Sequence, residues 1–222
     1  MKLFNFLSDA KPPLIAQSVN DLIAMVDRAG EMFDAATGAL LDNETIQVDL
    51  AEMDEDINMR EALIRRAVLE HVAVNPQQEL SFSLIMVSVV QDAERCGDLA
   101  KSIAKATALS TAPRMGAHVG ELSAIRDRVH AQFPRVHAAF SAGDRQGANE
   151  VMAEHEALKR DIGVYLQALA SATDLTPNQA LVLGISARMI GRVSSHLSNI
   201  ISAVALPFDQ LRRAPRESGG DR

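Results

Sequence analysis

Two carboxylates one helical turn apart, Glu94 and Asp98 in "QDAERCGDLAKSIA" (91–104), are the residues best spaced to do chemistry together. A second acidic group lies upstream in "DLAEMDEDINMRE", where Glu52, Asp54, Glu55 and Asp56 crowd together and Asp54 precedes Asn58 by one turn. Oxygen ligands at this spacing on each of two helices suit a hard or borderline cation such as Mg, Ca, Mn or Fe. The same pattern describes a solvated acidic face balanced by Arg60, Arg65, Arg95 and Lys101, or a face that docks a partner. Residue types and spacing leave all three open. Gly97, between the carboxylates, costs about 1 kcal/mol relative to alanine in a helix, so it marks either a close approach of another backbone or a ligand, or a tolerated glycine.

Other chemistries find no residues. There is no Gly-x-Ser-x-Gly, no phosphate-cradling glycine loop and no His-Glu-x-x-His, so the expectation is a protein that is not an enzyme. A ferritin-like di-iron site needs Glu-x-x-His on each of two helices, and no glutamate here has a histidine three residues later. Cys96 is the single cysteine, which excludes an intramolecular disulfide and points to a reduced compartment. It falls on an apolar stripe and reads as an inert thiol. His155 and His196 each stand alone on a helix and read as surface or satisfied groups, because a metal site needs several convergent ligands.

A net charge of −7 without a basic stripe argues against nucleic acid as a ligand. The opening "MKLFNFLSDAKPP" is too short in apolar residues for a signal peptide or a membrane span, so residues 1–13 read as a leader on a soluble, cytoplasmic chain. The tail "QLRRAPRESGGDR", with Arg212, Arg213 and Arg216, reads as a disordered end.

The elements that position these residues follow from composition and period. The chain is 47% apolar, with no Trp and one Tyr, the palette of an all-α bundle. One helical stripe runs through Val19, Leu22, Val26, Ala29, Phe33, Ala36 and Leu40; a second through Leu50, Met53, Ile57, Ile64 and Ala67; a third through Phe82, Met86, Val89, Ala93, Cys96, Ala100 and Ile103. After the Pro- and Gly-punctuated linker 110–116 come a fourth (Leu122 to Phe140), a fifth (Ala148 to Leu169) and a sixth, which opens on Thr176-Pro177 and carries Leu183, Ser186, Ile190, Val193, Leu197 and Ile200. Shifting the third stripe so that Met86 falls on Leu183 reproduces the sixth. The expected fold is therefore two repeated antiparallel three-helix bundles, over 14–109 and 117–206, with a tail at 207–222. Leu80, Leu84 and Val87 on the outer side of the third helix are candidates for a homodimer or partner contact, or for packing between the halves.

These residues resemble the PhoU-type phosphate-transport accessory proteins, whose third and sixth helices carry a segment close to Glu-Arg-Ile-Gly-Asp. Glu94, Arg95, Gly97, Asp98 and Ile103 match the first copy, and Asp54, Ile57, Asn58, Met59 and Glu61 match the segment on the second helix. In the second copy, at the register just given, Arg188, Arg192, Asn199 and Ile200 are kept while Gly191 and Ser195 stand where carboxylates belong. The resemblance implies metal sites on the bundle surface, a divalent metal or iron cluster, here reduced to the first repeat with Glu94, Asp98 and Asp54 as ligands. It also implies a regulator of phosphate uptake and phosphate-starvation signalling that docks the ATPase of a phosphate ABC transporter and a sensor histidine kinase. The docking face would be Glu94, Arg95, Asp98 and Asp54, and the protein would meet the membrane only through its partners. Two alternatives are a divergent metal-binding module and an adaptor for a sodium-phosphate cotransporter or another anion carrier.

Overall fold

The computed structural model describes residues 13–76 and 79–213. Every regular element among them is helical: α1 (Pro13–Thr37), continued by one wider turn over Gly38–Asp42, α2 (Leu50–Val74), α3 (Leu80–Thr107), α4 (Ala117–His130), α5 (Gln132–Ala142), α6 (Arg145–Ser171) and α7 (Pro177–Ala205). The leader lies outside the described residues except for Pro13, which begins α1.

Local chemistry sets the boundaries. Asp49 caps α2 by accepting from the amides of Ala51 and Glu52, and Asp144 caps α6 by accepting from Gln146. Thr176 and Gln179 form a reciprocal capping box ahead of Pro177, the first residue of α7. The expected fourth helix is in fact two, α4 and α5, broken at Ala131. Pro134 is the cause: it has no amide to give the carbonyl of His130 four residues back, and its ring crowds that carbonyl.

The expected stripes are the core. Phe33, Leu22, Leu40, Ile57, Ile64, Met86, Ile103, Leu122 and Leu158 are completely or almost completely buried, each such side chain contributing about 1.5–3 kcal/mol. Helices α1–α3 pack on one another, α6 packs on α7 and α5, and α3 packs along α7, so the two repeats share one continuous hydrophobic core. Cys96 lies in this central contact, buried, 4.0 Å from the carbonyl of Val193. A second contact joins α1 to α5, where the Phe33 and Phe133 rings meet with centroids 5.6 Å apart.

Both connecting segments are fastened to the bundle. In the linker, Arg114 donates to the Ala39 carbonyl (2.6 Å), and Asn43 exchanges two hydrogen bonds with the Arg114 backbone (both 3.0 Å). Beyond α7 the chain is ordered further than expected for a disordered tail. Phe208–Gln210 form a single tight turn, and the Arg212 side chain reaches the Ser88 carbonyl (2.7 Å) and Asp92 Oδ2 (2.8 Å) on α3. Asp92 is almost wholly buried and also accepts from His196 Nδ1 (2.8 Å) and Asn199 Nδ2 (2.9 Å) on α7. A buried carboxylate needs such partners, and they fix this stretch of tail. Arg216 lies outside the described residues.

Candidate functional site

The site is made where α2 crosses α3. At Gly97 a Cβ would stand 2.9 Å from Ile57 Cδ1 and 3.8 Å from Asp54 Oδ1. The glycine is thus the close approach its position suggests, and what approaches is the Ile57 side chain of α2. This contact carries Asp54 of α2 up to Glu94 and Asp98 of α3, so the sequence's two acidic groups do converge.

They converge on a lysine. Lys101 Nζ lies 2.6 Å from Asp54 Oδ2 and 3.1 Å from Asp98 Oδ1. Arg95 lies 3.4 Å from Asp98 Oδ2 and 3.6 Å from Glu94 Oε2, and Asn58 Nδ2 donates to Asp54 Oδ2 at 3.2 Å. The expected outward, solvated face is half-covered instead: the side chains of Asp54 and Glu94 are only 14% and 18% exposed, against 48% for Arg95. With α1, α2 and α7 all packed on α3, only a narrow arc of that helix remains in water.

Partial burial shifts the titrations. Burial, reinforced by a hydrogen bond and charge repulsion from Asp98, pushes the Glu94 carboxyl up to about 7. Asp98 goes the other way: against the cost of its own burial, hydrogen bonds to Lys101 and Glu94 and the charges of Lys101 and Arg95 hold it below the ordinary carboxylate range. Burial works against the Lys101 ammonium, but Asp54 and Asp98 outweigh it and raise its pKa.

A divalent ion could use Asp54 Oδ1, a buried oxygen with no hydrogen-bond partner among the described residues, together with Glu94 and Asp98. Lys101 Nζ already bridges two of those three carboxylates, and Glu94 holds its proton up to near-neutral pH. The cluster is close to neutral as it stands, so its donor set suits an internal ammonium better than a dication. With Lys101 in place, no three His, Cys, Asp or Glu side chains among the described residues are gathered as a metal site.

The second repeat keeps the register of the stripes. Cys96 of α3 meets the carbonyl of Val193 of α7, and buried Met86, Val89, Ala93, Cys96, Gly97, Ala100 and Ile103 recur as buried Leu183, Ser186, Ile190, Val193, Ser194, Leu197 and Ile200. Gly191 and Ser195 thus stand in the places of Glu94 and Asp98. A glycine–isoleucine approach occurs on α7 as well, about one turn earlier: a Cβ at Gly191 would stand 2.8 Å from Ile162 Cδ1 of α6. Arg188 and Arg192 of α7 and Lys159 of α6 surround it.

The remaining candidates are placed plainly. His155 Nδ1 is 2.9 Å from Ser194 Oγ and His196 Nδ1 binds Asp92, so each histidine is anchored through one ring nitrogen. Leu80, Leu84 and Val87 are exposed and no packing between the halves covers them. No helix among the described residues is long and apolar enough to cross a membrane.

Comparison with known proteins agrees with this architecture. Residues 22–107 match the PhoU domain family. The fold is similar to that of PhoU from Pseudomonas aeruginosa, at 22% identity and a TM-score of 0.79 over 86% of this chain and 95% of that one. It is also similar to the phosphate transport system regulatory protein PhoU from Streptococcus pneumoniae, at 15% identity and a TM-score of 0.77 over 86% of this chain and 92% of that one. No curated protein matches closely enough to count as a relative.

Proposed function

We propose that this PhoU-type chain, whose residues 22–107 form a PhoU domain, is a non-enzymatic regulator of phosphate uptake and phosphate-starvation signalling that acts by docking other proteins. The observation that carries the reading is the match of both repeats in one body to the fold of a phosphate transport system regulatory protein. The partners it would dock are the ATPase of a phosphate transporter and a membrane-bound sensor kinase, which would hold it at the inner face of the membrane.

The site on α2 and α3 supports a docking role more than a chemical one. Its acids and bases neutralise each other, and no nucleophile stands among them. Arg95, the most exposed of its charges, and Asp98 form the rim a partner can reach. Asp54 and Lys101 lie below and hold that rim in place. Charged rims of this kind give orientation and specificity more than affinity. A metal would enter here only by displacing Lys101.

Co-purification from cells grown at high and at low phosphate tests the reading. Transporter or kinase components recovered in one condition, and reduced by Arg95→Glu, are the expected result. Recovery of neither component in either condition overturns it.

A further inference from the structure

We propose that the cleft between α6 and α7 in the second repeat is a binding site for a phosphate-class oxyanion. A cavity of about 180 Å³ opens there, lined by Arg188, Gly191, Arg192 and Ser195 of α7 and by His155 and Lys159 of α6, with two apolar side chains beside them. Like the α2–α3 site it is built on a glycine–isoleucine approach, here of Gly191 to Ile162, but the charged groups around it are cations.

Three features make it a receptor for an anion. No carboxylate lines it, whereas Arg188, Arg192 and Lys159 place two guanidinium groups and an ammonium around one space. Neither Arg188 nor Arg192 has a hydrogen bond or ion pair among the described residues; Arg95, by contrast, sits between Glu94 and Asp98. Lys159 is paired only with Glu156 of its own helix, at the exposed edge (2.8 Å). Arg188 and Arg192 are one turn apart and so lie on the same helix face, where their planar donor forks can each take two oxygens of one tetrahedral anion. Ser195 adds a hydroxyl on the same helix, and His155, fixed through Nδ1 on Ser194, adds a ring whose other nitrogen is not engaged by any described residue.

The ligand chemistry follows from this set. Donors outnumber apolar groups and the space is small, which suits a compact, highly charged anion better than an apolar ligand with a single carboxylate. Free phosphate and the phosphate of an ester such as a nucleotide both meet these terms. The inference rests on the cleft itself and stands whether or not the chain docks a transporter.

Calorimetric titration of the full chain in a chloride buffer at low ionic strength, with inorganic phosphate in one arm and AMP in the other, tests it. Saturable binding at one site per chain is expected in at least one arm. Phosphate binding identifies the free ion as the ligand, and AMP binding without it identifies the esterified group. Arg188→Gln/Arg192→Gln should weaken that binding by about tenfold or more, with an unchanged thermal midpoint in the absence of ligand. Arg65→Gln/Arg66→Gln, an equal charge change on two exposed residues of α2, should leave it unaltered. No binding in either arm, or equal loss in the Arg188/Arg192 variant and the Arg65/Arg66 control, overturns the assignment.

Discussion

The two repeats solve one packing problem and then diverge in charge. In each, a glycine on the central helix admits an isoleucine from its neighbour, Gly97 with Ile57 and Gly191 with Ile162. Around the first pair stand Asp54, Glu94 and Asp98, closed off by Lys101; around the second stand Lys159, Arg188 and Arg192, left open. The apolar contact fixes the scaffold, and the charges around it can differ in sign, because they add little to folding at a half-exposed rim.

The strongest way to break the comparison is to remove the shared contact. Ile57→Ala and Ile162→Ala each leave a cavity in the core and should cost about 2–5 kcal/mol in denaturant unfolding. A large loss at Ile57 with almost none at Ile162 would show that the pairs are not equivalent. A methyl group on the glycine tests the same contact from the other side. Gly97→Ala and Gly191→Ala should each destabilise by about 1–3 kcal/mol through overpacking, less what alanine returns as a helix former. Ile57→Val or Ile162→Val in the same chain should restore much of the loss.

Lys101→Ala sharpens the charge contrast. It removes the ammonium from among three carboxylates and should lower stability by about 1 kcal/mol. The variant should then gain Mn²⁺ binding detectable by calorimetry where the parent shows little. Tight Mn²⁺ binding by the parent would mean that the lysine yields to metal.

The smallest effect is one of pH. The folded-state pKa of Glu94 is raised to about 7, so its protonated form is the one favoured by folding. Stability of the parent relative to Glu94→Gln should therefore be greatest below the ordinary carboxylate range, decline as pH rises through about 7, and stay level above it. Arg188→Gln, a change beside the glycine–isoleucine approach of the second repeat, should show no such trend between about pH 5 and 8. Parallel pH profiles for the two variants would remove Glu94 as a titrating group.

The scaffold was legible in the sequence because helical stripes and caps are local signals. Val19 to Leu40 on α1, Met86 to Ile103 on α3 and the Thr176-Pro177 start of α7 all stand as read. The break at Ala131 was also written there, in Pro134, but the apolar spacing runs through it and hides it. The acids of the site were visible as residue types. Their environment was not, since it depends on α2 covering an arc of α3 that periodicity left open to water. The cationic cleft was missed for a narrower reason. Arg188 and Arg192 do not stand at the positions of Glu94 and Asp98, so a comparison of the two motifs passes over them. Only the packing of α6 on α7 gathers them with Lys159 around one space.

Arg212 and Asp92 carry a practical consequence. The turn that follows α7 is moored on α3, a helix of the opposite repeat, through a carboxylate that water scarcely reaches. A truncation made just after α7, to trim what reads as a dispensable end, would strip one of the three groups that satisfy this acid and loosen the seam between the halves. Loss of activity in such a shortened protein would then report a weakened hinge line, and it would be a mistake to credit the missing residues with a recognition signal.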